Sequence, residues 1–392
     1  MGMAPVQTLP RTATRPTWAE VSLGNLRENF RTVAGHVRGA TICAVVKADA
    51  YGHGAVECAR ALAAEGATWF GVTSTDEAIP LREAGIAGRI LIMTGIWRGE
   101  ENEVIRRQLT PTVWEPWHVD VLEKAAAAAG VRHPVHLKVD TGMGRLGASL
   151  EDLSSLCARL SAAKHLHVEG LSTHLALSEM LDANGNEEQL RRFQAAENIV
   201  RGAGLSPVIC HVANTGAVVA RPEAWRNMVR PGIALYGYHL PFQHAGSVEE
   251  VPRLALKPAL SWKTRVLSLR EVGAGQALGY GGTYVTKSRT RLAVLPVGYA
   301  DGLNRRLSNC GRVIVRRSYG AILGRISMDL TLVDVTEIPN VTVGDEVVLL
   351  GASGELNVDA HEHARHAETV AYEILCAISK RVPRKYLESS AS

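Results

Sequence analysis

The sequence predicts an α/β protein built as a (β/α)8 barrel, the TIM-barrel architecture, followed by a smaller, mainly-β C-terminal domain. Three observations carry this expectation. Between about residue 23 and residue 240, eight short apolar runs alternate with amphipathic stretches rich in alanine and leucine. Such alternation implies a parallel sheet, and eight strands are the number that closes a barrel. After about residue 250 the texture changes to short β-branched runs separated by Gly, Asp, Asn and Pro, an all-β pattern. Finally, 392 residues exceed what one hydrophobic core usually organises, so two domains are the default. We expect the barrel over 23–245 and the β domain over 246–392.

The predicted barrel strands are Thr41–Val46, Trp69–Thr73, Arg89–Met93, Pro111–Trp114, Val135–Asp140, Val168–His174, Val208–Val212 and Gly232–Tyr236. Helical patterns between them include Val56–Glu65, Val119–Ala129, Leu150–Ala163 and Glu187–Ala203. An open doubly wound sheet is the competing arrangement, but no glycine-rich dinucleotide fingerprint follows the first strand. In the second part, Ala259–Val266, Arg291–Pro296, Gly311–Val315, Leu330–Val335 and Glu346–Leu350 read as strands, with a helix-like stretch near Val370–Arg381.

Composition excludes several classes. A formal charge of +4 with no long basic block argues against a nucleic-acid or anionic-membrane surface. The six cysteines are scattered without a CxxC pair, which suits reduced thiols in a cytoplasmic protein and neither a disulfide framework nor a zinc site. No metal site is expected. No run approaches membrane-spanning length. Met1–Thr17 lacks the apolar core of a signal peptide and reads as a tail.

The most informative segment is Ala44–Gly54, Ala-Val-Val-Lys-Ala-Asp-Ala-Tyr-Gly-His-Gly. Lys47 closes a buried apolar run and precedes a turn-rich stretch. An arbitrary lysine at a strand end snorkels into water; one held at a cavity can instead become a nucleophile or base. Tyr51 and the neighbouring glycines add a phenol and accessible backbone, which suit an anionic group such as phosphate.

These eleven residues resemble the pyridoxal-phosphate attachment segment of the barrel-type (fold-type III) alanine racemases. Further motifs extend the resemblance from Trp18 to Tyr386: Lys138-Val139-Asp140-Thr141-Gly142-Met143-Gly144-Arg145, His174, Asn214-Thr215-Gly216, Arg230-Pro231-Gly232-Ile233, Leu278-Gly279-Tyr280-Gly281-Gly282, Pro296-Val297-Gly298-Tyr299 and Gly324-Arg325-Ile326-Ser327-Met328-Asp329. Taken singly, a strand-end histidine is ordinarily structural and post-strand glycines are turn residues. Together the barrel motifs fall on the rim where barrel enzymes do their chemistry.

The resemblance implies an isomerase that interconverts L-alanine and D-alanine, a cell-wall precursor, through an external aldimine of pyridoxal 5'-phosphate. Lys47 carries the cofactor and serves one face of the substrate; Tyr280 is the second base. Tyr51, Asn214, Thr215, Gly232, Ile233 and Tyr372 fall at cofactor-binding positions, most of them at the phosphate. Arg230 falls at the pyridine nitrogen, and Arg145 at the phenolic oxygen and near the substrate carboxylate. His174 supports Tyr280 and is itself held by Arg230. Met328 binds the substrate carboxylate, Tyr299 lines the entrance with Arg305 and Arg325 near it, and Lys138 is carbamylated in some relatives. The resemblance further implies a homodimer with shared sites, Tyr280 reaching the other subunit, and an N-terminal strand at about 17–22 joined to the β domain. Ser327 and Thr215 stand where some relatives have cysteine and serine, and both stay small and polar. A guanidinium can only donate, so the ring nitrogen stays unprotonated, which disfavours transamination and opposes a decarboxylase of the same fold. A racemase for another amino acid such as serine, and a non-catalytic pyridoxal-phosphate-binding barrel, are the alternatives; the β domain argues against the latter.

Overall fold

The computed structural model describes residues 15–243 and 253–388. The chain divides into two compact units, one of Leu260–Lys385 with the residues up to Val21, the other of Ser22–Ala259 with Tyr386 onward. The expected boundary at 245/246 lies outside the described residues.

The second of these units is a closed barrel. After β1 (Thr17–Ser22), which belongs to the other unit, come β2 (Thr41–Val45), β3 (Trp69–Val72), β4 (Arg89–Ile92), β5 (Thr110–Val113), β6 (His133–Lys138), β7 (Leu166–Ser172), β8 (Ile209–His211) and β9 (Met228–Val229). Neighbours pair in parallel, and β2 closes the ring on β9 through Thr41 opposite Met228. Helices such as Ala55–Ala64, Pro116–Ala128 and Leu150–Ala162 return the chain between strands. Ser22, Ser74 and Ser149 cap the helices that follow them by accepting a backbone N–H three residues on.

One strand differs from expectation. Gly232–Tyr236 does not close the barrel: Met228–Val229 does, and Ile233–Tyr236 is a buried 3-10 turn. Pro231 has no N–H for a ladder, so the strand stops before it. Arg230 therefore follows the last strand rather than opening it, and joins the C-terminal rim.

Inside the ring, Cys43, Trp69, Leu91 and Met228 form an apolar cluster. Polar side chains share the interior. The register between β6 and β7 slips by one residue: Val135 pairs with Val168, but His136 pairs with Gly170. Glu169 is thus an extra, bulged residue, a device that re-aims a side chain.

The other unit continues with β10 (Leu260–Arg265), β11 (Ser268–Val272), β12 (Ala277–Leu278), β13 (Tyr284–Val285), β14 (Thr290–Leu295), β15 (Arg312–Val315), β16 (Ser318–Leu323), β17 (Thr331–Asp334), β18 (Glu346–Ser353), β19 (Leu356–Val358) and β20 (Arg384–Leu387). Its main sheet runs β11-β14-β17-β16-β15-β18-β10-β1-β20, so the N-terminal strand lies inside it. Two helices, Ala360–Ala367 and Ala371–Ala377, precede the last strand; the single expected helix over 370–381 is shorter, because Ile378 turns extended. No helix of the described residues is long and apolar enough to cross a membrane.

Candidate active site

Lys47 leaves the C-terminal end of β2 into an unusual turn. Ala48, Asp49, Ala50 and Tyr51 all take left-handed φ values of 52 to 55°, each costing a non-glycine residue roughly 1–2 kcal/mol. Two carboxylates hold this turn. Glu77 Oε1 accepts from the Ala48 N–H at 2.7 Å, while its Oε2 accepts from the N–H of Thr73 at 2.7 Å. Asp49 Oδ1 accepts from the Ala55 N–H at 2.7 Å. A right-handed continuation would direct Tyr51 elsewhere, so the strain fixes where the amine and the phenol point.

Lys47 shares a cavity at the barrel mouth with Lys138, Arg145, His174, His211 and Arg230, and no carboxylate lines it. The enclosed part measures only about 60 Å³, so a bound coenzyme would lie over this floor rather than within it. Burial, reinforced by Arg230 and Arg145, lowers the Lys138 amine to about 8. Burial and then Arg230 push His174 down to about 2, so its imidazole is neutral. Asn214 Nδ2 lies 3.5 Å from His174 Nε2, making that nitrogen the acceptor. Arg145 is presented by a tight loop: Asp140 Oδ1 accepts from the N–H groups of Gly142 and Met143 at 2.9 and 2.8 Å, and Oδ2 from that of Arg145 at 3.0 Å. Burial opposes ionisation of Asp140, but these donors hold its carboxyl below the ordinary value.

Arg230 is 7% exposed and tightly committed. Its Nη1 donates to His211 Nδ1 at 2.8 Å and to the His211 carbonyl at 2.7 Å; Nη2 donates to the carbonyls of Thr173 and Val212 at 2.8 and 3.1 Å. Four of five N–H donors are spent on the barrel, leaving Nε–H for the cavity. The expected hydrogen bond from Arg230 to His174 is not formed; Asn214 contacts His174 instead, because both terminal nitrogens of Arg230 are occupied.

A second cluster lies beside Tyr51, which is buried. A Cβ on Gly232 would fall 2.2 Å from Tyr51 Oη, so glycine there leaves the phenol its place. The Gly232 N–H donates to Thr215 Oγ1 at 2.9 Å, and Ile233 follows, fully buried. Two hydroxyls, small residues and backbone N–H groups suit a phosphate. With a lysine and a guanidinium holding one uncommitted donor nearby in sequence and fold, the barrel residues fit a phosphorylated heteroaromatic aldehyde.

The remaining expected residues belong to the other unit. Tyr280, 72% exposed, sits in a one-turn 3-10 element between β12 and β13. It lines a recess of about 640 Å³ with Tyr299, Arg305, Ile326 and Ser327. Met328 follows, also exposed. The Tyr299 and Ala300 N–H groups donate to the Ser327 and Met328 carbonyls at 3.0 and 3.1 Å. A Cβ on Gly298 would lie 2.3 Å from the Ser327 carbonyl oxygen, which explains the glycine before Tyr299. Tyr372 is half-buried at the second position of helix Ala371–Ala377. Thr73, Met93, Thr112, Ser172 and His211 also line the barrel cavity and were not expected. His211 ends β8 and Ser172 ends β7, so inspection of strand ends could have found both; the others carry no distinguishing signal.

Fold and site together define a barrel enzyme with a lysine at the centre of a cationic mouth and an appended β domain. The profile of the alanine racemase N-terminal domain matches residues 21–240 and that of the C-terminal domain residues 259–386. The chain belongs to the alanine racemase family, whose members are pyridoxal-phosphate-dependent isomerases. The alanine racemase of Halothermothrix orenii is 40% identical, covering 95% of this chain and 97% of its own. The crystal structure of alanine racemase from the D-cycloserine producer Streptomyces lavendulae superposes with a TM-score of 0.90 at 35% identity, over 96% of this chain and 98% of that one. That from Bartonella henselae, with covalently bound pyridoxal phosphate, gives 0.85 at 29% identity over 95% and 100%.

Proposed function

We propose that this chain interconverts L- and D-alanine using pyridoxal 5'-phosphate attached to Lys47, with Tyr280 of a second subunit as the opposing base. The observation that carries the assignment is the barrel mouth, where Lys47 faces Lys138, Arg145 and Arg230 with no carboxylate among the lining residues. When bound, the cofactor supplies an electron sink that acidifies the substrate α-hydrogen.

The protein's own groups divide the remaining work. Tyr51, Thr215 and Gly232, with Ile233 and Tyr372, hold the phosphate end, and Asn214 binds the cofactor beside His174. Arg230 offers Nε–H to the ring nitrogen and cannot give up its proton near neutrality, being lowered only to about 10 by burial. Lys47 Nζ, freed from the cofactor, accepts or returns the α-proton on one face, and Tyr280 Oη does so on the other. Arg145 and the Met328 backbone bind the substrate carboxylate, and Tyr299 narrows the entrance. A homodimer follows, in which each site is completed by Tyr280 of the partner subunit. Six cysteines with no disulfide among the described residues suit the cytoplasm as its compartment.

The test is exchange of the α-hydrogen of each alanine enantiomer in deuterated water. Lys47→Ala should lose the cofactor band and all turnover. Tyr280→Phe should keep the band and lose racemisation by roughly 10²–10⁴-fold. Full racemisation by Tyr280→Phe removes that residue from the mechanism.

A further inference from the structure

A column of polar side chains runs through the barrel interior below Arg230, where barrels of this kind ordinarily stack branched apolar layers. Arg230 Nη1 donates to His211 Nδ1 at 2.8 Å. Arginine has no acceptor, so that nitrogen carries no proton and the His211 hydrogen is on Nε2. His211 Nε2 lies 2.8 Å from His136 Nδ1; His136 accepts there and keeps its own proton on Nε2. That nitrogen lies 3.4 Å from Glu169 Oε2, a charge contact, and no atom meets hydrogen-bond geometry with it. Glu169 is paired in turn with Arg89 at 2.6 Å. The donor-only guanidinium fixes the direction of both hydrogen bonds, and the carboxylate beside His136 Nε2 favours a proton on that nitrogen.

Two local features serve this column. The bulge between β6 and β7 inserts Glu169 opposite His136. Gly170 makes room for the imidazole, since a Cβ there would fall 2.5 Å from His136 Nδ1. Burial keeps both histidines below their ordinary value, hence neutral with one proton each. Glu169 stays ionised, held to about 2 by His136 and Arg89 against the cost of burial. Stability alone is a poor account of such a column, because apolar replacements of buried ionic sets are often neutral or stabilising.

We propose that Glu169 and His136 are positioning residues for Arg230: through His211 they lock the guanidinium so that its Nε–H stays turned to the barrel mouth. This rests on the assignment of Arg230 to the ring nitrogen. If the lock is lost, His211 can present a hydrogen instead of a lone pair, the guanidinium loses one of its four anchors, and the ring-nitrogen contact loosens. Control over which reaction follows α-proton removal then weakens.

The experiment uses the holoenzyme labelled with ¹⁵N-histidine. Long-range ¹H–¹⁵N spectra should show His211 and His136 both as Nε2–H tautomers. Glu169→Met, similar in size but without an acceptor, should mix these tautomers and raise pyruvate released per racemisation turnover by about tenfold, the scale of one lost charge-assisted hydrogen bond. In that side reaction water supplies the keto oxygen, and the amino group and electron pair stay on the cofactor, leaving it as the pyridoxamine form. Glu169→Gln keeps an acceptor oxygen and should restore both readouts. Arg89, 38% exposed at its side chain, can hydrate when its partner is removed, so the fold should tolerate Glu169→Met. An Nδ1–H tautomer at His211 in the unmodified protein would overturn the proposal without any variant. So would unchanged tautomers and an unchanged pyruvate ratio in Glu169→Met. Failure of the unmodified protein to racemise alanine would sink the functional assignment instead, leaving the tautomer result intact.

Discussion

At Gly232 a single added methyl would fall 2.2 Å from Tyr51 Oη, and Tyr51 is buried with little room to retreat. Gly232→Ala should therefore displace the phenol and weaken cofactor retention by about tenfold or more, as expected for one disturbed charge-assisted contact. Loss of the yellow band on dialysis measures it, and retention equal to the parent contradicts the cradle. Gly35 is the contrast: it is exposed, helical and open around its Cβ position, so Gly35→Ala should stabilise by about 0.4–1 kcal/mol. Lys138 offers a chemical prediction. Its amine, lowered to about 8 chiefly by burial, loses its charge as pH rises through that value and becomes able to add carbon dioxide. The resulting carbamate would sit with Arg145 and Arg230 around the same cavity. Protein freed of bicarbonate should gain activity when bicarbonate is restored, and Lys138→Arg should not respond. Candidate residues of this kind are legible in the sequence where a motif marks them; the shifted amine is not, because desolvation belongs to the folded environment.

Among elements, the turn after β2 shows best what a sequence conceals. Ala-Asp-Ala-Tyr carries no glycine, yet all four residues are left-handed. The sequence marks a turn there and gives no sign of its hand, because the stabilising groups come from elsewhere: Glu77 lies 29 positions beyond Ala48. Glu77→Gln keeps one acceptor and sets an amide donor against a backbone N–H. It should destabilise by about 1.5–3 kcal/mol, the worth of hydrogen bonds to a charged group, and raise KM more than it alters fold content. Urea midpoints together with steady-state kinetics check both. The last barrel strand teaches the same lesson. An apolar run, Gly232–Tyr236, looked more strand-like than Met228–Val229, but closure of the ring needs only the two residues that meet Thr41 and Ile42. Hydrophobicity marked burial correctly and conformation wrongly.

For the whole molecule, buried histidines set the response to acid. His118 and His363 are lowered to about 4 and His211 well below its ordinary 6.5, in each case mainly by burial. A histidine with a lowered folded-state pKa binds its proton more readily when unfolded. Its contribution is therefore complete above about 6.5 and lost as pH falls from there toward 4, at about 1.4 kcal/mol per pH unit for each histidine. Glu169, depressed to about 2, adds its loss only below its unfolded value of 4.5. Urea unfolding across this range should show stability falling from pH 6.5 downward, with steepening below 4.5. A flat profile between 6.5 and 4.5 would contradict neutral burial of these rings.

Strand–helix alternation, the later all-β texture and the spaced motifs were enough for the sequence by itself to determine a barrel, a β domain and the family. These signals are local or depend only on order along the chain. The column from Arg230 through His211 and His136 to Glu169 was decided by tertiary structure alone. Its members stand 19, 75 and 33 positions apart, and strands buried on both faces erase the alternation that would distinguish an inward polar residue from an outward one. Ring closure brings those residues within hydrogen-bond reach, and burial then fixes their protons. So the sequence located Lys47 at the end of the first barrel strand, while the fold supplied the fixed electrostatic frame around it.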